Sequence, residues 1–381
     1  MFKINDKLKQ YIDENEEKVK KGGINFSGLE YYGRLLLLDF FNKNGFFILP
    51  DEKVEIPTIK NKIKLISGYD RHFSILLGIM EKEGYIKING ETIITTGKVK
   101  SQKVIDDLSD SGGYKNRMIV DFPDMKIHFN LLDICLSQYN KILCGEKSPD
   151  AVMFPVFSTE LVEGVFRDNM LSDYFNILVA DTVSSYIEHL KKNGDDSVIK
   201  VLEVGAGTGG TSVFVTEKIR NFTGIEFYFT DISKVFVRNF EKKNKEKYPF
   251  LVCKKMNIEE EPSVQGFEKN SFDIIIASNV LHSTKNIDNT LANIKFLKKD
   301  GGIFLLNEVT KNQDFTSLTF GLLGGWWLFT DPEIRIPNSP LLDINSWKTV
   351  LEKSGFENIN MVSSSDLDTP DSFSQTLFMI E

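Results

Sequence analysis

Residues 201–212, VLEVGAGTGGTS, limit what this chain can fold into more than any other stretch. They continue an apolar run from Val198 that is broken only by Lys200 and Glu203, the pattern of a buried parallel strand. Gly205, Gly207, Gly209 and Gly210 follow, and an amphipathic stretch, 213–219, then takes over. Strand, glycine turn, helix is the opening of a nucleotide-binding βαβ unit, in which the backbone turns sharply and approaches a ligand more closely than a Cβ allows. Gly205, Gly207 and Gly210 fit the dinucleotide fingerprint G-x-G-x-x-G. Glu203 favours another ligand: a carboxylate just ahead of the loop repels a pyrophosphate but suits an ammonium or sulfonium charge.

The spacing E-x-G-x-G-x-G, from Glu203 to Gly209, resembles the first motif of the S-adenosylmethionine-dependent methyltransferases. S-adenosylmethionine is therefore expected over NAD. The strands that follow fit a nucleoside ligand. Residues 227–230 read as the second strand, ending at Asp231, and a carboxylate at that tip accepts hydrogen bonds from ribose hydroxyls or caps the helix expected over 233–243. A third strand at 251–253 leads to Asn257, a candidate contact for adenine.

Residues 272–277 form the fourth expected strand and run into SNVLH, ending at His282; residues 303–306 form the fifth, with Asn307 and Glu308 at its end. A helix over 291–297, stopped by Gly301-Gly302, connects them. Ligands bind at the carboxyl ends of parallel strands, so His282 and Glu308 are expected to meet above the cofactor. A histidine near its ordinary pKa takes a proton at neutral pH, and a carboxylate beside it orients the ring and stabilises the imidazolium. Residues 320–329, FGLLGGWWLF, read as an apolar wall that excludes water. A helix over 346–353 and an antiparallel pair, 360–363 with 376–380, complete the chain.

Residues 1–165 read as a separate, mainly helical region: a charged helix ended by Gly22-Gly23, a buried helix over 29–41 stopped by Gly45, an extended piece at 46–48, a helix over 69–83, and a hairpin turning on Asn89-Gly90. A helix-like segment at 129–145, the segment 153–168 and a long helix over 171–190 lead into the strand at 198. Helix, helix, hairpin is winged-helix-like. The net charge of −8 supplies no phosphate-neutralising excess, so a lid or dimerisation module is expected there and not nucleic-acid binding. His72 and His128, among apolar residues, read as core histidines. Three cysteines without C-x-x-C give neither a disulfide framework nor a zinc site, so no metal is expected. The start lacks a signal-peptide core and no run reaches transmembrane length, so a cytoplasmic protein with no membrane partner is expected.

LEVGAGTGGTS, FTDIS, MNIEEEP, FDIIIASNVLHST, GGIFLLNEVT and GLLGGWWLF, with MFPVFSTELVEGVFRDN and YFN ahead of them, together resemble the methyltransferase domains of modular polyketide synthases over about residues 130–381. The resemblance implies a Rossmann-like class I core at 166–381, with a seven-stranded, mostly parallel sheet, behind an N-terminal lid. It implies cofactor contacts at Glu203, Gly205, Ala206, Gly207, Asp231, Ile232, Asn257, Ile258 and Asn279. It also implies a substrate tethered by phosphopantetheine to an acyl carrier protein, and other polyketide synthase domains as partners. In the C-methylating members a His–Glu dyad serves enolisation of a β-ketoacyl thioester; His282 and Glu308 fall on those positions, and Tyr174 on one that reaches the substrate. The chain departs at Phe166, where Tyr is usual, and at Asn257, where Asp is common. O-methylation of a β-hydroxyacyl substrate would use the same dyad, and a catalytically silent docking module is the alternative outside enzymes.

Overall fold

The front region is mainly helical, as its periodicity requires. A computed structural model describes residues 6–155, 159–193, 197–364 and 373–381; the expected elements at 3–5 and 156–158 lie outside the described residues. The two helices expected near the amino terminus are one, Asp6–Lys43, with Gly22 and Gly23 in its interior. Gly22 and, further along the helix, Gly33 have a steric role: a Cβ on Gly22 would lie 2.5 Å from Met170 Cε, and one on Gly33 2.8 Å from Leu318 Cδ1. Interior glycine costs about 1 kcal/mol of helix propensity, which this close packing offsets. Gly45, at φ +87°, follows the helix end. Residues 46–48 are not extended; Phe47 has φ +61° and packs its buried ring 4.8 Å from Phe41.

Strand β1 (Lys53–Glu55) pairs with β3 (Thr92–Thr95), which pairs with β2 (Ile86–Asn89). Helix Asp70–Lys82 precedes this hairpin. The turn falls on Gly90-Glu91, one residue later than expected, because Asn89 pairs with Thr92. The segment expected as one helix over 129–145 is two, Lys126–Ser137 and Tyr139–Leu143. The division proposed after residue 165 falls in the last turn of helix Glu160–Phe166. One apolar cluster crosses it, from Leu29 and Phe41 to Val201 and Phe227.

The large sheet comprises β4 (Ile199–Val204), β5 (Ile225–Asp231), β6 (Leu251–Lys255), β7 (Phe272–Ser278), β8 (Lys298–Val309), β9 (Ile359–Ser363) and β10 (Gln375–Ile380), in the order β6-β5-β4-β7-β8-β10-β9. The first five are parallel; β10 runs antiparallel to both β8 and β9. Chain order runs outward from β4 on one side and from β7 on the other, so the reversal lies between them. In open α/β sheets ligands bind at that crevice, beyond the carboxyl ends of the strands. Alternate residues serve opposite faces. Val201, Phe227, Ile274 and Leu305 join the cluster that holds the front helices and Met170–Lys192. Leu202, Ile275, Phe304 and Phe378 pack with the helices Ile287–Leu297 and Ile344–Lys353, around the fully buried Trp347.

Two ties set the walls of the site. Arg34, on the first helix, donates from Nε to Asp314 (2.6 Å) and pairs with Glu83 (2.9 Å), while Glu30 accepts the backbone N–H groups of Asp314 and Phe315. The other tie is β8 against β7. Gly301 and Gly302 do not stop a helix before this strand, as expected; β8 begins at Lys298, directly after helix Ile287–Leu297, and contains both. A Cβ at Gly302 would lie 2.9 Å from Asp273 O, 3.0 Å from Lys299 O and 3.2 Å from Phe272 O. Backbone cannot retreat as a flexible side chain can. Gly302→Ala is expected to lower stability by about 1–3 kcal/mol in urea unfolding; an unchanged midpoint would contradict this packing.

Candidate functional site

β4 delivers Glu203 to the crevice and ends in the glycine loop, where Gly205, Gly207 and Gly209 have φ of +59°, +56° and +87°. A Cβ on Gly205 would collide with Val280, so the loops after β4 and β7 touch here. Gly209 precedes helix Gly210–Ile219, whose Ser212 hydroxyl donates to Glu203 Oε2 at 2.5 Å. Glu203 is 1% exposed. Burial pushes its carboxyl up to about 8; nearby Asp231 acts in the same direction and the Ser212 hydrogen bond against it. A buried acid of this kind holds its proton at neutral pH until a cation faces it.

Asp231, at the end of β5, accepts the N–H groups of Gly207 (2.9 Å) and Ser233 (2.7 Å), and burial raises its carboxyl too. It is not the cap of the following helix; Ser233 is, accepting from Phe236 N–H. Glu203, Gly205, Ala206, Gly207, Thr211 and Asn279 line a cavity of about 150 Å³. A buried acid with no counter-charge, beside a turn of Gly205 and Gly207, fits the amino-acid end of S-adenosylmethionine, with its positive charge.

Four expected cofactor residues, Asp231, Ile232, Asn257 and Ile258, are not in this cavity's lining; Asp231 stays beside it through its bond to Gly207 N–H. Ile232, beyond the tip of β5, is 57% exposed. Ile258 points into the core with Met256 and Phe267. Asn257 is held in its own turn, accepting from Glu259 N–H (3.1 Å) and donating to Glu260 (3.0 Å). A residue at a strand tip can serve its local turn, and sequence position alone does not distinguish the two uses.

His282 and Glu308 do meet. Glu308 is fully buried near the end of β8; Oε1 accepts Val280 N–H (3.1 Å) and Leu281 N–H (2.8 Å), and Oε2 lies 2.6 Å from His282 Nδ1. A carboxylate on Nδ1 fixes the proton there and leaves Nε2 as the acceptor. Arg335, buried and paired with Asp331, donates to the carbonyls of His282 (2.5 Å) and Thr284 (2.8 Å), which fixes the backbone of the same turn. Asn279, at φ +50°, donates from its backbone to Asn307 O (2.7 Å) and accepts Val309 N–H at its side chain (3.0 Å).

His282 borders a second cavity of about 290 Å³, walled by Phe166, Phe315, Phe320, Leu323 and Trp326. The two cavities share Phe166, Ser172, Asn279 and Gln375 as lining. Of the tryptophan pair only Trp326 lines it, edge-on to His282 at 5.7 Å; Trp327 turns away, lies under Arg71 and donates to Gly321 O. Tyr174 does not reach either cavity. Its ring stacks on Tyr11 of the first helix at 5.7 Å. On the same helix Ser172 and Asn176, one turn apart, face the site, and Tyr174 between them points the other way. Asn176 accepts from Thr211 (2.8 Å) and donates to Phe166 O (2.9 Å), joining the helix to the glycine loop. Sequence reasoning missed Ser172, Asn176 and Gln375; the i, i+4 spacing of the first two was the available signal.

Comparison with known proteins bears on this geometry. A methyltransferase-domain family model matches residues 202–304. The polyketide synthases PksR and PksM of Bacillus subtilis are each 37% identical, over 306 and 280 residues, or 80% and 73% of this chain. The chain spans only 12% and 6% of their lengths. The crystal structure of the DszA carbon methyltransferase superposes with a TM-score of 0.88 at 30% identity, covering 97% of this chain and 93% of that one. The CurJ carbon methyltransferase does so with a TM-score of 0.81 at 27% identity, covering 98% of both.

Because Glu203 carries its proton below about pH 8, binding a cation there releases it. The affinity for S-adenosylmethionine is expected to rise with pH from 6 to 8 and then level off, with proton release visible as a buffer-dependent heat in calorimetry. Glu203→Gln is expected to abolish that release; an identical release from the variant would remove the assignment.

Proposed function

Because the chain belongs to the S-adenosylmethionine-dependent carbon methyltransferase domains of polyketide synthases, we propose that it methylates the α-carbon of a β-ketoacyl thioester carried on the phosphopantetheine of an acyl carrier protein. The observation that carries this reading is the His282–Glu308 pair, with His282 on the wall of an apolar cavity that shares Phe166, Ser172, Asn279 and Gln375 with the smaller donor cavity. Other polyketide synthase domains are the partners we propose, since the relatives extend far beyond the matched region.

S-adenosylmethionine, when bound, supplies an electrophilic methyl group. Glu203 and the backbone of Gly205, Ala206 and Gly207 hold its amino-acid end, and Asp231 accepts from its ribose hydroxyls. His282 Nε2 takes the α-proton of the thioester. Glu308 keeps the ring in the tautomer that can accept there and stabilises the imidazolium. Removal of that proton leaves a nucleophilic carbon, and Phe166, Phe320 and Trp326 keep water from it. Residues 166–381 supply this chemistry and residues 1–165 the lid, with Phe26 and His128 of the front region on the acyl cavity. Phe166 contributes ring surface where a tyrosine would offer a hydroxyl.

Acidity explains the substrate class. A β-ketoacyl α-proton is flanked by two carbonyls and lies within reach of a neutral imidazole, whereas a simple acyl thioester is far less acidic. The likeness to two solved carbon methyltransferases favours carbon over oxygen as the acceptor.

His282→Ala is expected to lower turnover by at least about 10²-fold while binding S-adenosylmethionine as the parent does. Mass spectrometry of the carrier-bound product and calorimetry read the two separately, and normal turnover would remove the base. Offered side by side, β-ketoacyl and β-hydroxyacyl carrier proteins are expected to give a C-methylated product from the first only. Methylation of the hydroxyl instead would replace this reading with O-methylation.

A further inference from the structure

The acyl cavity carries polar groups that the methyl transfer does not use. Most polar side chains in its wall are engaged: Asn169 donates to the carbonyls of Gly164 and Val165 and accepts Ser172 N–H, and Gln375 donates to Asn307. His128 and Gln313 are different. They are 4% and 3% exposed, both line the cavity, and His128 Nδ1 and Gln313 Nε2 have no hydrogen-bond partner. Leaving such buried groups unpaired is costly, because neither water nor protein replaces the hydrogen bond each lost on burial.

Their position relative to the proposed base follows from the rings. From His282 the row of ring contacts runs to Trp326 (5.7 Å), Phe320 (6.3 Å), Phe315 (6.4 Å) and His128 (5.3 Å). One histidine stands at each end of an otherwise apolar aromatic wall. Gln313 adjoins Asp314, whose backbone N–H, with that of Phe315, is held by Glu30. The distal end is therefore a fixed piece of structure, and it comes from the front region and the segment after β8.

We infer that His128 and Gln313 form a distal recognition site for an oxygen substituent, hydroxyl or keto, on the acyl chain several bonds beyond the carbon that is methylated. This rests on the acyl-thioester reading above and names its substrate class more narrowly. The amide of Gln313 donates to such an oxygen. Burial holds the imidazole of His128 neutral, its pKa lowered to about 4, so that one ring nitrogen donates and the other accepts. A hydroxyl or a keto oxygen can be served by this pair, whereas a plain methylene leaves both groups dry and unpaired. The aromatic row between the two ends accepts an apolar spacer.

The test uses β-ketoacyl pantetheine thioesters matched in length, with a methylene, a keto or a hydroxyl group scanned along the distal chain. The full chain is expected to favour one oxygenated series over the methylene series by about tenfold in kcat/KM, expressed mainly in KM. His128→Leu and Gln313→Leu are each expected to reduce that ratio, and the double variant to bring it close to one. The comparison of the keto and hydroxyl series tells which oxygen is read. The second measurement is nitrogen-15 NMR of the parent protein. It has four histidines, and the His128 ring signals are identified by their loss in His128→Leu. The oxygenated thioester is expected to move the His128 signal and the methylene thioester to leave it in place.

A signal that responds equally to both, or a selectivity ratio that survives the double variant, overturns the inference. Methylation of no thioester, with the His128 signal still responding selectively to oxygen, would instead remove the functional reading and leave the site standing. Should the leucine variants fail to fold, the loss of the signal in His128→Gln identifies it, and the parent's NMR response and selectivity then decide the matter.

Discussion

Glu308 is a fully buried carboxylate near the end of β8, and the turn after β7 is arranged around satisfying it. Two backbone N–H groups and one imidazole meet its two oxygens, and all three donors belong to the short turn after β7. A carboxylate in such surroundings is tolerated only when its lone pairs are filled, so the turn is drawn into a single conformation. The same contacts that solvate the charge orient the ring of His282. Stability and geometry therefore share a cause here: the turn cannot relax without exposing the carboxylate to an unmet demand. The left-handed Asn279, bonded to the backbone of β8 from both its main chain and its side chain, and Arg335, clamping the far side of the turn, complete the enclosure.

The donor side obeys a complementary rule. Glu203 is as buried as Glu308 but has one hydroxyl for a partner, and so it stays an acid until a positive ligand arrives. One carboxylate is satisfied by the protein in advance, and the other awaits its counter-charge. Glu203 lies on β4, beside the reversal of sheet order, and Glu308 on β8, one strand beyond β7, so both reach the same end of the sheet although they lie far apart in the chain.

Much of this was legible in the sequence because it follows from strand periodicity and strand ends. A run of buried strands, each closed by a polar residue, located Glu203, Asp231, His282 and Glu308 before any coordinates. Tyr174, Asn257 and Ile258 line neither cavity, for physical reasons that the sequence conceals. The face a helical residue presents depends on what the helix packs against, and the first helix took Tyr174 for a ring stack with Tyr11. A strand-tip asparagine is equally suited to a ligand and to its own turn, and Asn257 serves the turn. Gly22-Gly23 looked like a stop because glycine weakens helices in isolation; against a tightly packed neighbour, absence of a side chain is what lets the helix continue. His128 is buried among the rings of Phe26 and Phe315, as its apolar neighbours require, but it also borders a cavity. That cavity cannot be seen in one dimension.

The buried tie from Arg34 and Glu30 to Asp314 has a consequence for how such enzymes diversify. It hangs one wall of the larger cavity on the first helix, while the smaller cavity, proposed for the methyl donor, is lined by the loop after β4. Recognition of the cargo and handling of the methyl thus sit on separable parts of the chain. Drift in the amino-terminal helices can retune which chains are accepted while the donor loop stays fixed. Inheritance of a new cargo preference need then involve no change at any residue that touches the transferred carbon.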